Sequence, residues 1–231
     1  MLRSDDLHFS YDGNVVLDGV GLGVDRGETV ALVGPSGSGK STLLYCLAGI
    51  LVPAHGSVVF DGQVLGELDE KERTLLRRRS FGFVLQFGRL MADLTATENV
   101  SFPLRLLGVK RAAAEAAARE ALDAVGLADR GERRAATLSG GEQQRAAVAR
   151  ALIHEPAVVF ADEPTGALDT ANGAVVMDAL LSTARQRGAA VVLVTHDPAI
   201  AAGADRRIHL RDGRIVDGER AGAGVGARGH G

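Results

Sequence analysis

Eight consecutive residues, Gly34-Pro35-Ser36-Gly37-Ser38-Gly39-Lys40-Ser41, carry three glycines, a lysine and hydroxyls at the spacing GxxxxGK[ST]. Glycines let a backbone curl until successive N–H groups converge on an anion, and a helix starting at the lysine adds the positive end of its dipole. Lys40 then reaches the β- and γ-phosphates, the hydroxyl of Ser41 ligates Mg²⁺, and Thr42 continues the same turn. The chemistry implied is the binding of a nucleoside triphosphate.

Two further groups point the same way. In Val158-Val159-Phe160-Ala161-Asp162-Glu163 a continuous apolar run ends in two carboxylates. Ligands of α/β sheets bind at the C-terminal edge of such strands. There Asp162 is suited to holding Mg²⁺, often through water, and Glu163 to polarising a water aimed at the γ-phosphate. Leu138-Ser139-Gly140-Gly141-Glu142-Gln143-Gln144-Arg145 reads as a helix start, with Ser139 as N-cap and Glu142 at the third helical position. Its glycines expose free N–H groups, so this end would also bind an anion.

The elements around these groups must position them. Thr29-Val30-Ala31-Leu32-Val33 reads as a buried strand and Thr42-Leu43-Leu44-Tyr45-Cys46-Leu47-Ala48 as a helix, so the glycine loop joins strand to helix. Period-two alternation in 7–11 and 20–24 predicts half-exposed antiparallel strands, and 56–62 a short strand ending in an Asp-Gly turn. From 90 to 134 the pattern is helical, with a capping box at Thr95 and Glu98 and an Ala-rich helix over 111–125. The runs 157–161 and 189–194 are continuous, as in buried parallel strands, and a helix over 170–187 joins them into a βαβ unit. A hairpin over 208–216 turns at Asp212-Gly213. Past Asp217 the chain is mostly Gly, Ala and charge, and 218–231 is expected to be disordered.

The bulk numbers narrow the class. With 231 residues and 46% hydrophobic content the chain has length for a large α/β domain. No apolar run approaches a membrane span and the N-terminus lacks a signal-peptide core, so a soluble, cytosolic protein is expected. A net charge of −3 gives no electrostatic case for nucleic acid. The single cysteine, Cys46, rules out a disulfide framework or a Cys-rich zinc site, and its apolar surroundings read as core.

Leu138 to Arg145 resembles the signature of ATP-binding cassette (ABC) ATPases, and the other motifs fall in that family's order. The resemblance spans 2–217. It implies a single P-loop NTPase (RecA-like) α/β core with an antiparallel β subdomain and an inserted α-helical subdomain at about 90–150. In such proteins the signature, here Ser139, Gly140, Gly141 and Gln143, binds the γ-phosphate of the ATP held by the opposite subunit. Tyr11 then matches the position that stacks on adenine, and Gln86 the glutamine that senses Mg²⁺ and the attacking water. Asp169 belongs to a loop lining the dimer interface, where Ala167 replaces the commoner serine. His196 matches the switch histidine that contacts the γ-phosphate.

Within the family, Phe81 to Gln86, Leu94 to Val100 and Ala161 to Asp169 look like the LolD/MacB-type subgroup. That subgroup serves MacB/FtsX-like permeases, which export lipoproteins, peptides or antibiotics or transmit force. The resemblance thus implies a head-to-tail dimer around two ATPs, a permease docked near Gln86, and a place on the inner face of the cell membrane. Phe87-Gly88-Arg89-Leu90 departs from the family's more polar pattern. FtsE-like mechanical signalling is an alternative the chain does not separate from transport. A soluble ABC ATPase of repair, chromosome structure or translation would bring zinc-ligating cysteines, a long coiled-coil insertion or a second cassette, and a GTPase an [NT]KxD motif; this sequence carries none of them.

Overall fold

The computed structural model describes residues 1–220. In chain order its regular elements are β1 (Leu2–Tyr11), β2 (Asn14–Val24), β3 (Thr29–Val33), α1 (Lys40–Leu47), β4 (His55–Phe60), β5 (Gln63–Val64), α2 (Glu70–Ser80) and β6 (Phe81–Leu85). There follow α3 (Ala96–Leu106), α4 (Arg111–Ala124), α5 (Gly140–Leu152), β7 (Val158–Asp162), α6 (Thr170–Gln186), β8 (Ala190–Val194), α7 (Pro198–Ala202), β9 (Arg206–Arg211) and β10 (Arg214–Arg220). Two sheets form, a four-stranded antiparallel one in the order β2-β1-β4-β5 and a six-stranded one in the order β10-β9-β3-β8-β7-β6. The second is parallel from β9 to β6.

The continuous apolar runs are the inner strands of the parallel sheet, buried on both faces. Alternate residues of those strands serve two cores. Val158, Phe160, Val192 and Val194 pack with α1 and the antiparallel sheet, while Val159, Ala161, Val191 and Leu193 pack towards α3, α4, α5 and α6. Phe81 bridges the two sheets, its ring 4.9 Å from Phe60 and 5.2 Å from Phe160, both edge-on. Cys46 is buried in the first core, and burial pushes its thiol up to about 12, as a core side chain requires.

Register then builds the site. Leu85 pairs with Asp162, and Asp162 with Val194, so these strands end level. Residues 86, 163 and 195 therefore leave the sheet side by side, next to the loop that follows β3.

The strand predictions were short rather than misplaced. β1 starts at Leu2 and β2 at Asn14, joined through Asp12-Gly13, and both turn residues have positive φ as a type I′ hairpin demands. The predicted turns at Asp61-Gly62 and Asp212-Gly213 have the same geometry. The helical stretch is more broken than its periodicity suggested: 90–95 leads into α3 without helix, and 126–139 contains only two short 3-10 turns. β10 runs to Arg220 through its pairing with β9, so the expected disorder from 218 is contradicted over 218–220. The expectation for 221–231 lies outside the described residues.

Candidate nucleotide site

The loop after β3 is held in a shape only glycine allows at its ends. Gly34 has φ 148°, and a Cβ there would stand 2.0 Å from the carbonyl oxygen of Leu210. Gly39, the N-cap of α1, has φ 98°, and its Cβ would stand 2.7 Å from the Val16 carbonyl oxygen. The first helical bond of α1 runs from Leu43 N–H to the Gly39 carbonyl. The N–H groups of Lys40, Ser41 and Thr42 therefore have no helical acceptor and face the loop. Lys40 Nζ donates to the carbonyls of Gly34 at 2.9 Å and Pro35 at 2.7 Å, which holds the ammonium over the turn. Ser38 Oγ is buried without a partner beside this curl. A cleft of about 430 Å³ opens here, lined by Ser36, Gly37, Lys40, Thr42, Glu163 and His196 among others. Inward N–H groups, a lysine and a hydroxyl fit a polyphosphate.

The carboxylates close the other wall. Ser41 Oγ donates to Asp162 Oδ1 at 2.9 Å, and the Tyr45 hydroxyl donates to Asp162 Oδ2 at 2.9 Å. Burial, and then the bond to the Asp162 carboxylate, push the Tyr45 phenol up to about 12. A hydroxyl beside a carboxylate is an oxygen set suited to Mg²⁺. Glu163 sits at φ 47°, a strained value for a non-glycine residue, and its N–H bonds the Val194 carbonyl at 3.0 Å. His196 Nδ1 lies 2.9 Å from Glu163 Oε2, with side chains 72% and 22% exposed respectively. Gln86 Nε2 lies 3.0 Å from where a Cβ on Gly166 would stand, so its side chain leans over the segment after Glu163. It does not line the cleft. Nor does Tyr11, which is exposed at the end of β1 with its ring edge-on to Phe9.

The second predicted anion site is elsewhere on the chain. Ser139 caps α5, its Oγ accepting from Glu142 N–H while Glu142 Oε2 accepts from Ser139 N–H, the capping box read from sequence. Arg130 Nε reaches Glu142 Oε1 at 2.6 Å, and this bond leads the forces that lower the Glu142 carboxyl to about 2. Gly140 packs against Leu168 and Gly141 against Asn172. Gln143 Nε2 donates to the Leu138 carbonyl. Asp169 caps α6 by accepting from the backbone and side chain of Asn172. None of Ser139, Gly140, Gly141, Gln143 or Asp169 lines the Lys40 cleft.

Sequence reasoning missed three residues that hold these groups. One is Tyr45. The others lie on α5: buried Gln144 donates to the Leu85 carbonyl at 3.0 Å, and Arg150 donates to the carbonyls of Gly88 and Arg89 at 2.8 and 2.9 Å. Phe87 and Arg89 both have positive φ, so the loop after Gln86 is wound against the preference of its non-glycine residues, and Arg150 ties it to the helix that starts at Ser139. The unusual Phe87 to Leu90 run was the only signal in the sequence.

The comparisons with known proteins agree with this geometry. The family model described as ABC transporter matches residues 17–166, more than half the chain. The lipoprotein-releasing system ATP-binding protein LolD of Bordetella pertussis is 50% identical over 200 residues, covering 87% of each protein. LolD of Aquifex aeolicus is 43% identical over 216 residues, 94% of this chain and 96% of that one. Among solved structures, the ATP-binding cassette MJ0796 in a dimeric post-hydrolysis state bound to ADP and Pi superposes with a TM-score of 0.87. It is 35% identical, covering 96% of this chain and 99% of that one. The chain belongs to the ABC transporter family and is an ATPase whose hydrolysis is coupled to transport.

Proposed function

We propose that two copies of this ATPase close head to tail around two ATP molecules and thereby drive a MacB/FtsX-like membrane permease, with lipoproteins, peptides or antibiotics as the exported class. One observation carries the reading: Lys40, Ser41, Glu163 and His196 line one cleft, whereas Ser139, Gly140 and Gly141, which start α5, lie outside it on the same chain. A second copy would bring that helix start over the first copy's ATP. The related MJ0796 is dimeric with ADP and Pi, and the LolD relatives are named for lipoprotein release.

In this reading the loop 34–41 cradles the phosphates, with Lys40 on the β- and γ-phosphoryl oxygens and Tyr11 against the adenine. Ser41 and Asp162 would hold Mg²⁺, with Gln86 completing its surroundings, and the ion would neutralise charge on the phosphates during transfer. Glu163 accepts a proton from the water that attacks the γ-phosphate. His196, within hydrogen-bond reach of Glu163, steadies that carboxylate and donates to the phosphate. Ser139, Gly140, Gly141 and Gln143 of the partner close the far side, and Asp169 lies at the seam. Closing would draw the helical subdomain inward.

The permease would dock beside the Gln86 loop, where Phe87, Met91 and, on α3, Phe102 and Leu106 are exposed. No helix among the described residues is long and apolar enough to cross a membrane, so attachment at the inner face would come through that partner.

Ser139→Phe tests the composite site. It leaves the cleft of its own chain untouched, so ATP affinity should stay at the wild-type value while steady-state hydrolysis is lost. Hydrolysis at the wild-type rate would remove Ser139 from the site and with it the two-chain reading.

A further inference from the structure

Asp162 is held on both oxygens by neighbours one helical turn apart. Ser41 and Tyr45 are related by i, i+4 on α1, so their hydroxyls share a face. One reaches Oδ1 and the other Oδ2, each at 2.9 Å. A carboxylate bonded through one oxygen turns easily, because the torsion about its terminal bond is broad. Bonded through both, its plane is fixed.

The two supports differ in kind. Ser41 is itself a candidate metal ligand, whereas Tyr45 stands behind the carboxylate. Its ring packs against the core beneath α1, and its carbonyl accepts from the N–H groups of Ile50 at 2.9 Å and Leu51 at 3.1 Å. Asp162 is equally well founded, since β7 is paired at that residue with both Leu85 and Val194. The phenol thus reaches from one rigid element to another. A neutral O–H donor also leaves the carboxylate its full negative charge, which a lysine or arginine in the same place would offset.

We propose that Tyr45 is a positioning residue of the metal site: its hydroxyl fixes the plane of the Asp162 carboxylate so that Asp162 and Ser41 present their oxygens to one divalent cation. The proposal rests on the assignment of Asp162 and Ser41 to Mg²⁺ above.

The test is a Mn²⁺ titration of the full chain in the presence of ADP, with free Mn²⁺ read by electron paramagnetic resonance. Wild type, Tyr45→Phe and Asp162→Asn are compared, with ADP affinity in EDTA and thermal unfolding measured alongside. Tyr45→Phe keeps the ring and removes only the hydroxyl. It should weaken Mn²⁺ binding about tenfold, the usual cost of losing a partner behind a metal ligand, while ADP affinity in EDTA and the unfolding temperature hold. Mn²⁺ affinity equal to wild type in Tyr45→Phe overturns the proposal. So does an equal loss of ADP affinity in EDTA, which assigns the hydroxyl to packing. Asp162→Asn separates the two layers: if it too binds Mn²⁺ like wild type, the metal-site assignment itself fails.

Discussion

Glu142→Gln should loosen the start of α5 by an amount that depends on pH. The Glu142 carboxylate takes two bonds, one from Ser139 N–H at 2.8 Å and one from Arg130 Nε at 2.6 Å. Glutamine keeps an oxygen for Ser139 and loses the charge that Arg130 meets. The carboxyl lies at about 2 against an ordinary 4.5, first because of the Arg130 bond. That difference amounts to about 3 kcal/mol if taken whole. The Arg130 side chain is 37% exposed and Glu142 18%, so solvent screening brings the expected contribution to about 1 kcal/mol. Because folding lowers this pKa, the stabilisation is complete above pH 4.5 and is lost as pH falls from there towards 2. Urea unfolding of wild type and variant at neutral pH and near pH 3 measures it. The variant should be less stable by about 1 kcal/mol at neutral pH, and the gap should narrow in acid. Equal stability at neutral pH, or a gap that stays constant down to pH 3, would refute the role given to the Arg130 pair.

Gly39→Ala places a methyl 2.7 Å from the Val16 carbonyl at φ 98°, and should cost about 2 kcal/mol and abolish ATP binding by calorimetry. Arg150→Met keeps the half-buried stem and removes the donors to the carbonyls of Gly88 and Arg89. It should destabilise the protein by about 2 kcal/mol and speed proteolytic cutting near Gln86, both read against wild type in one unfolding and one digestion series.

The sequence exposed those parts whose chemistry is local. A phosphate loop must join a strand to a helix, so 29–48 was readable from its own residues, as were the capping boxes at Thr95 and Ser139 and the turn at Asp212-Gly213. Phe81–Leu85 was noticed only as a motif, because one glycine and two phenylalanines in five residues show no clear period; the structure places it as the edge strand β6. α2 escaped because its charge hides any apolar face, although Asp69 and Glu72 form a full capping box. Strand order and register are non-local, and they alone bring 86, 163 and 195 together. Tyr45, Gln144 and Arg150 were unreadable for the same reason: their partners lie 117, 59 and about 60 residues away. In contrast, Ser139 was legible as a helix N-cap, but its place outside the Lys40 cleft became visible only in the fold.

The central claim is that one ATP site needs two chains, and light scattering on Glu163→Gln during size-exclusion chromatography tests it most directly. That substitution removes the proposed proton acceptor and leaves the phosphate loop intact. The account predicts a monomer without nucleotide and a dimer with Mg-ATP, and it predicts that adding Ser139→Phe abolishes the dimer. A Glu163→Gln chain that binds Mg-ATP yet stays monomeric, or a dimer indifferent to Ser139→Phe, would contradict it.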